Sequence, residues 1–198
     1  DYCAFATWTD RGHLQQQYLH ALRSDIEAAR MLPATSVFVG GGTPTLVAPE
    51  ALGEVLRAIP TVAGAEVTVE CNPDDVTTEM YRVFRAAGVN RLSLGVQSFD
   101  PAQLQALGRV HDADDARRAA ESALMIFGNV NFDLMYALPN QTVAGAQADL
   151  AAALAFAPPH LSFYHLTLEP NTLFHRHPPP LPDEDTAADI EDAVHETL

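Results

Sequence analysis

The residues of this chain that could do chemistry fall at the ends of apolar runs. Val37-Phe38-Val39 is followed by Gly40-Gly41-Gly42-Thr43-Pro44. A strand that ends in glycines lets backbone groups reach a ligand with no side chain between them. Thr45 stands where a dinucleotide fingerprint needs its third glycine, and the Gly-Lys-Ser/Thr of a P-loop is absent. Both facts argue against a nucleotide pyrophosphate as the ligand.

Glu70 closes the run Glu66-Val67-Thr68-Val69-Glu70, and Gln97 follows Leu94-Gly95-Val96. Each has two readings. Glu70 either caps the loop around Asn72–Asp74 or accepts hydrogen bonds from ligand hydroxyls or a cation. The Gln97 amide either ties down the next loop or reads a ligand. Asp133 interrupts Val130-Asn131-Phe132-Asp133-Leu134-Met135, where a buried carboxylate is costly without a donor. Its partner is therefore a ligand or an arginine, Arg91 or Arg109. Arg109 could hold a carboxylate bidentately, although spacing alone favours a surface arginine at a helix end. His175-Arg176-His177 has no third metal ligand nearby, and His111 and His165 could face the site, although lone histidines are more often structural. No G-x-S-x-G elbow and no Cys–His nucleophile pair stands out, which argues against acid–base hydrolysis.

The elements that must hold these residues follow from periodicity. Helical stripes run over 12–31, with Leu14, Tyr18, Leu22, Ile26 and Met31 on one face, and over 46–59. A further helix is capped by Thr77, has Met80, Val83 and Phe84 inward, and is stopped by Gly88. Others are expected over 100–107, 112–127, 143–156 and 185–198. Strands are expected over 36–39, 66–70, 91–96, 130–138 and 161–168. Such alternation implies β/α units and a parallel sheet. Gly41, Glu70, Gln97, Asp133 and Thr167 then fall at or just past the C-terminal ends of successive strands, the edge where such sheets bind ligands.

Composition narrows the class. With 198 residues, 47% of them hydrophobic, the chain can bury a full core. A net charge of −15, from 11 basic and 26 acidic residues, argues against a nucleic-acid partner. No run approaches the roughly 18 apolar residues of a membrane span, and no signal peptide is visible. Cys3 and Cys71 suit a reducing, cytoplasmic setting. The acidic residues from Asp183 through Glu196 read as a solvated helix face.

Several stretches together resemble one family. Asp1-Tyr2-Cys3-Ala4-Phe5 is similar to the end of the radical S-adenosylmethionine (SAM) signature C-x-x-x-C-x-x-C, and Val37–Thr45 to that family's G-G-G-T-P segment. Glu70-Cys71-Asn72-Pro73, Arg91–Phe99, Leu107–His111, Asp133–Pro139, Leu166–Thr172 and Leu181–Asp185 follow in the family's order. The set resembles the coproporphyrinogen III oxidase-like branch, nearest to heme chaperones of the HemW type. The oxidases carry a further cysteine two positions after the third; here Phe5 stands there, and Glu169-Pro170-Asn171-Thr172 is also HemW-like.

The resemblance implies an incomplete (β/α)6 partial TIM barrel over 1–169. Its first strand and the first two signature cysteines would lie upstream, and 170–198 would lead to a further C-terminal domain. It implies a 4Fe–4S cluster with Cys3 as one ligand, SAM, and heme as cargo for heme-accepting proteins, with an electron donor and no integral membrane segment. Tyr2, Gly41, Gly42, Thr43, Glu70, Gln97, Arg109, Asp133 and Thr167 would contact SAM, with Gly41–Thr43 at its amino group and Arg109 at its carboxylate. Thr167, on the last strand, would lie near adenine. Two alternatives stand beside the chaperone: an oxygen-independent coproporphyrinogen III dehydrogenase, and a cluster-free barrel enzyme in which Cys3 is incidental.

Overall fold

The computed structural model describes residues 1–5 and 10–198. Five parallel strands, β1 (Ala34–Val39), β2 (Thr61–Cys71), β3 (Arg91–Gln97), β4 (Val130–Tyr136) and β5 (His160–His165), form one sheet in strict chain order. A doubly wound sheet reverses its strand order part-way, whereas a barrel does not. The fold is therefore α/β of the barrel type, an open half-barrel of five strands.

Helix α1 (Gln15–Ala29) precedes β1; α2 (Pro49–Ala58), α3 (Thr78–Ala86), α4 (Pro101–Leu107), α5 (Ala113–Phe127) and α6 (Val143–Leu154) fill the connections between strands, and α7 (Leu173–Arg176) and α8 (Glu184–His195) follow β5. Their ends obey local chemistry. Thr77, Asp100, Asp112, Thr142 and Asp183 each accept a backbone N–H of the helix that follows. Gly108 and Gly128 close α4 and α5 in the left-handed conformation.

The two faces of the sheet differ in character. Val69, Leu92, Leu94, Phe132 and Leu134 point to the helices and are buried in the main core with Tyr81, Phe84 and Phe127. The alternate residues pair Glu70 with Ser93, Ser93 with Asn131, and Asp133 with Ser162 across neighbouring strands. Parallel strands are usually apolar on both faces. Here the concave face is polar, and its side chains need partners of their own.

Several expectations are corrected. The apolar stripe of α1 is not core: the helix buries no residue fully and Tyr18 is 65% exposed, because α1 leans chiefly on α2 beside the edge strand. The inward residues of α3 are Tyr81 and Phe84, with Met80 and Val83 only half-buried. Strand β2 begins earlier than its apolar pattern suggested, and β5 stops at His165 instead of Leu168. Ala137 adopts φ 55, which turns β4 away and leaves residues after Leu166 no strand to pair with. Thr167 consequently lies beyond the last strand, exposed, with its hydroxyl donating to Glu169 Oε1 at 2.8 Å.

The residues after Pro170 pack on the barrel. Ile190 and Val194 of α8 are buried with Tyr136, Ala146 and Leu150. The 4-residue α7 was not legible in the sequence; Thr172 caps it by accepting His175 N–H.

Candidate functional site

A cavity of about 750 Å³ opens at the C-terminal edge of the sheet. Tyr2, Cys3, Gly42, Thr43, Glu70, Gln97, Arg109, Asp133 and Thr167 line it, so nearly all the residues singled out from sequence converge. Gly41 is tied in through Glu70, whose Oε2 accepts the Gly41 N–H at 3.0 Å. Glu70 thus joins the glycine loop to β2 and keeps its other oxygen for the cavity.

The glycines of this loop are needed for two distinct reasons. At Gly40 an added Cβ would stand 2.8 Å from Glu70 Oε2 and 2.8 Å from the Phe38 ring. At Gly41 the Cβ would meet nothing, but φ is 82°, which strains any L side chain. Gly40→Ala is expected to push Glu70 off the Gly41 amide and to cost about 1–2 kcal/mol of stability. Thermal unfolding checks this, and an unchanged melting temperature would show that the Glu70 bond is not needed.

Arg109 is not the surface arginine that its spacing suggested. It is half-buried, and its Nη2 donates to Asn72 Oδ1 at 2.6 Å and to the Gly95 carbonyl at 3.2 Å. Its Nη1 donates to the Tyr2 hydroxyl at 3.4 Å. The Nε–H is buried with no acceptor. A charged donor in that condition is costly, and an acceptor on a bound ligand would relieve it.

Asp133 does not pair with Arg91 or Arg109. Its carboxylate accepts Ser93 Oγ–H at 2.9 Å and Asn131 Nδ2–H at 2.7 Å, and Ser162 steadies Asn131 from β5 at 3.0 Å. Burial pushes its pKa up, against the pull of those donors, with Glu70 adding to the rise. Gln97 holds φ 66 and is 6% exposed, with Oε1 accepting the Tyr164 hydroxyl at 2.5 Å. Gly95 gives room for this: a Cβ there would come within 3.0 Å of Gln97 Nε2 and 3.1 Å of Asn72 Oδ1.

His111 supports the wall from behind, as a structural histidine. Its Nε2 sits 3.0 Å from the Val96 carbonyl, so Nε2 carries the proton and Nδ1 faces Arg109 Nη2 at 3.5 Å as acceptor. Burial and then Arg109 lower its pKa, outweighing Asp74, whose Oδ1 lies 3.5 Å from Nδ1. Between that lowered value and the ordinary value of about 6.5, the unfolded chain binds a proton that the folded one does not. Stability should therefore fall as pH drops through that window. His111→Gln is expected to flatten the dependence, checked by denaturant unfolding from about pH 5 to pH 8.

Asn72, Ser93, Asn131 and Tyr164 were not assigned to the site from sequence. Ser93 and Asn131 were within reach, since each stands an even number of residues before Gln97 or Asp133 on the same strand face. Nothing local marked Asn72 and Tyr164, whose roles come from contacts 37 and 67 residues away in the chain. Cys71 is 3% exposed; its thiol donates to the Ser93 carbonyl, and burial pushes its pKa up to about 12. Among the described residues, no group of three or more His, Cys, Asp or Glu side chains could hold a metal ion.

A family model described as the radical SAM superfamily matches residues 1–151. The chain belongs to the radical SAM superfamily. This radical SAM chain is 40% identical over 207 residues to the heme chaperone HemW of Escherichia coli (strain K12), covering 100% of itself and 55% of that relative. It is also 41% identical over 202 residues to radical S-adenosyl methionine domain-containing protein 1, mitochondrial, of Mus musculus, covering 96% and 46% respectively. It spans about half the length of these relatives. Among solved structures it superposes on coproporphyrinogen III oxidase (HemN) from Escherichia coli with TM-score 0.86 at 24% identity, over 100% of this chain and 48% of that one. At that identity the likeness shows the fold, and it agrees with the radical SAM partial TIM barrel. No helix among the described residues is long and apolar enough to cross a membrane.

Proposed function

We propose that this radical SAM chain is the core of a HemW-type heme chaperone, acting in the cytoplasm to deliver heme to heme proteins. The observation that carries the reading is the opening of Cys3, the glycine loop and the Glu70–Arg109–Asp133 wall onto one cavity, in a chain 40% identical to a heme chaperone along its whole length.

The cavity wall suits SAM by charge. Two carboxylates and one guanidinium match a ligand that carries an ammonium, a sulfonium and a single carboxylate. Arg109 would offer its partnerless Nε–H to the carboxylate, the glycine loop would receive the ammonium, and Asp133 and the free oxygen of Glu70 would accept ribose hydroxyls. Gln97, Tyr2 and Thr167 would complete the wall. Bound at a reduced cluster, SAM supplies one-electron chemistry at its sulfonium.

The residues in hand fit a 4Fe–4S cluster only in part. Cys3 is exposed and lines the cavity, while Cys71 is buried and protonated. Cys3 would give one ligand, and the others would come from outside these 198 residues.

Phe5 favours the chaperone over the dehydrogenase, since an exposed phenylalanine stands where the oxidase branch would carry another cysteine. The test uses the full-length protein with its cluster. It should bind heme stoichiometrically and pass it to an apo-cytochrome. With coproporphyrinogen III, SAM and a reductant it should form no protoporphyrinogen IX, and sustained turnover there would overturn the chaperone reading in favour of the dehydrogenase.

A further inference from the structure

We propose that the segment after the last strand, Glu169–Arg176, is a clasp that positions the cysteine-bearing residues Asp1–Cys3 in the cavity. The proposal rests on the reading of Cys3 as a cluster ligand for its purpose, but on separate contacts for its geometry.

The carbonyl of Asp1 accepts two backbone N–H groups from the first turn of α7, Leu173 at 3.1 Å and Phe174 at 3.3 Å. That turn is held rigid from below: the Thr172 hydroxyl donates to the Glu169 carbonyl at 2.7 Å and accepts His175 N–H at 3.1 Å. The next residue is gripped as well. The Tyr2 ring lies 6.3 Å from the Phe174 ring, tilted by 50°, and its hydroxyl accepts Arg109 Nη1–H. Phe174 is 6% exposed in an apolar cluster with Leu107, Met135, Leu138 and Leu166, against which Tyr2 also packs.

A third element closes around the same residues. Gly108, at φ 69, ends α4 where an added Cβ would stand 2.5 Å from the Asp1 carboxylate. The turn that delivers Arg109 and the turn of α7 therefore meet on Asp1–Tyr2 from two sides. Cys3 is one Cα step of about 3.8 Å beyond Tyr2, so fixing the Asp1 carbonyl and the Tyr2 ring fixes where its sulfur can reach. Among the described residues, the Cys3 sulfur accepts one hydrogen bond, from the Phe5 amide two residues away at 3.5 Å, and none from the barrel. The fold thus holds its cysteine segment with residues about 170 positions later, and a disturbance at α7 would be felt at Cys3.

The test compares Phe174→Ala, Phe174→Leu and Val194→Ala in the full-length protein. Val194 is buried on α8 against Tyr136 and Leu150, away from Asp1–Cys3, and serves as a packing loss without the clasp. After reconstitution with iron and sulfide, Phe174→Ala is expected to lose iron to a chelator at least about tenfold faster than the parent, as local opening becomes easier. Phe174→Leu should recover most of the parental retention, and Val194→Ala should lower the melting temperature without changing the rate. A second readout needs no cluster. In the iron-free protein, Tyr2→Ala should raise amide exchange at Leu173 and Phe174 by about tenfold while His175 and Arg176, bonded to Thr172, keep theirs. Unchanged exchange at Leu173 and Phe174, or parental iron retention in a folded Phe174→Ala, overturns the clasp. A parent that takes up no iron while the exchange result holds overturns only the cluster role of Cys3.

Discussion

Arg109→Met in the full-length protein is expected to weaken SAM binding by roughly ten- to a hundredfold, the loss that goes with a charge-assisted hydrogen bond. Methionine keeps the apolar stem and removes the guanidinium. The loss should exceed that of a surface cation, because Arg109 is held by Asn72, the Gly95 carbonyl and the Tyr2 hydroxyl, and still has a buried Nε–H to give. Lysine should rescue little. An ammonium cannot serve a carboxylate through Nε while donating to Asn72 and Tyr2 from the far end of a fork. Isothermal titration with the three proteins checks this, and equal affinity in parent and Arg109→Met would remove Arg109 from the carboxylate.

Asp133→Asn should separate function from stability. Burial raises the folded pKa of Asp133 above its unfolded value, so its ionised form is disfavoured by folding. That penalty is fully present above the raised pKa and is relieved as pH falls toward the ordinary carboxylate value of about 3.9. Asparagine never carries the charge, can still accept a bond from Asn131, and faces a Ser93 hydroxyl that can turn to accept. The melting temperature at neutral pH is therefore expected not to fall, and any advantage over the parent should shrink on acidification. SAM affinity should drop about tenfold or more, for the loss of a carboxylate acceptor. A variant that binds normally would leave the Asp133 network a purely structural one.

How far these groups could be read from sequence depended on the range of the contact. Glu70 and Gln97 at strand ends, and Asp133 in the middle of β4 and not at its end as expected, were visible because each broke an apolar run, and the sheet brings all three to one cavity. The helix cap at Thr77 was legible for a similar reason, since it is a local side-chain–backbone bond. Arg109 was misread. Its sequence neighbours describe a helix end, and its burial comes from Asn72 and Gly95, which lie on other elements. The half-buried stripe of α1 misled in the opposite direction: amphipathic spacing shows that a helix has an apolar face, not how much of the sheet lies beneath it. The α7 turn was hidden by the prolines around it, and its purpose appears only where it meets Asp1.

The role given to Cys3 and the cavity together is tested most directly by electron paramagnetic resonance of the reduced, reconstituted full-length protein, recorded with and without SAM. The expected result is a 4Fe–4S signal that changes when SAM is added, is lost in Cys3→Ala, and keeps its SAM-free form in Arg109→Met at SAM concentrations that saturate the parent. An iron-free product, or a cluster signal indifferent to SAM, would contradict the account and leave a barrel protein in which Cys3 has no cluster to hold.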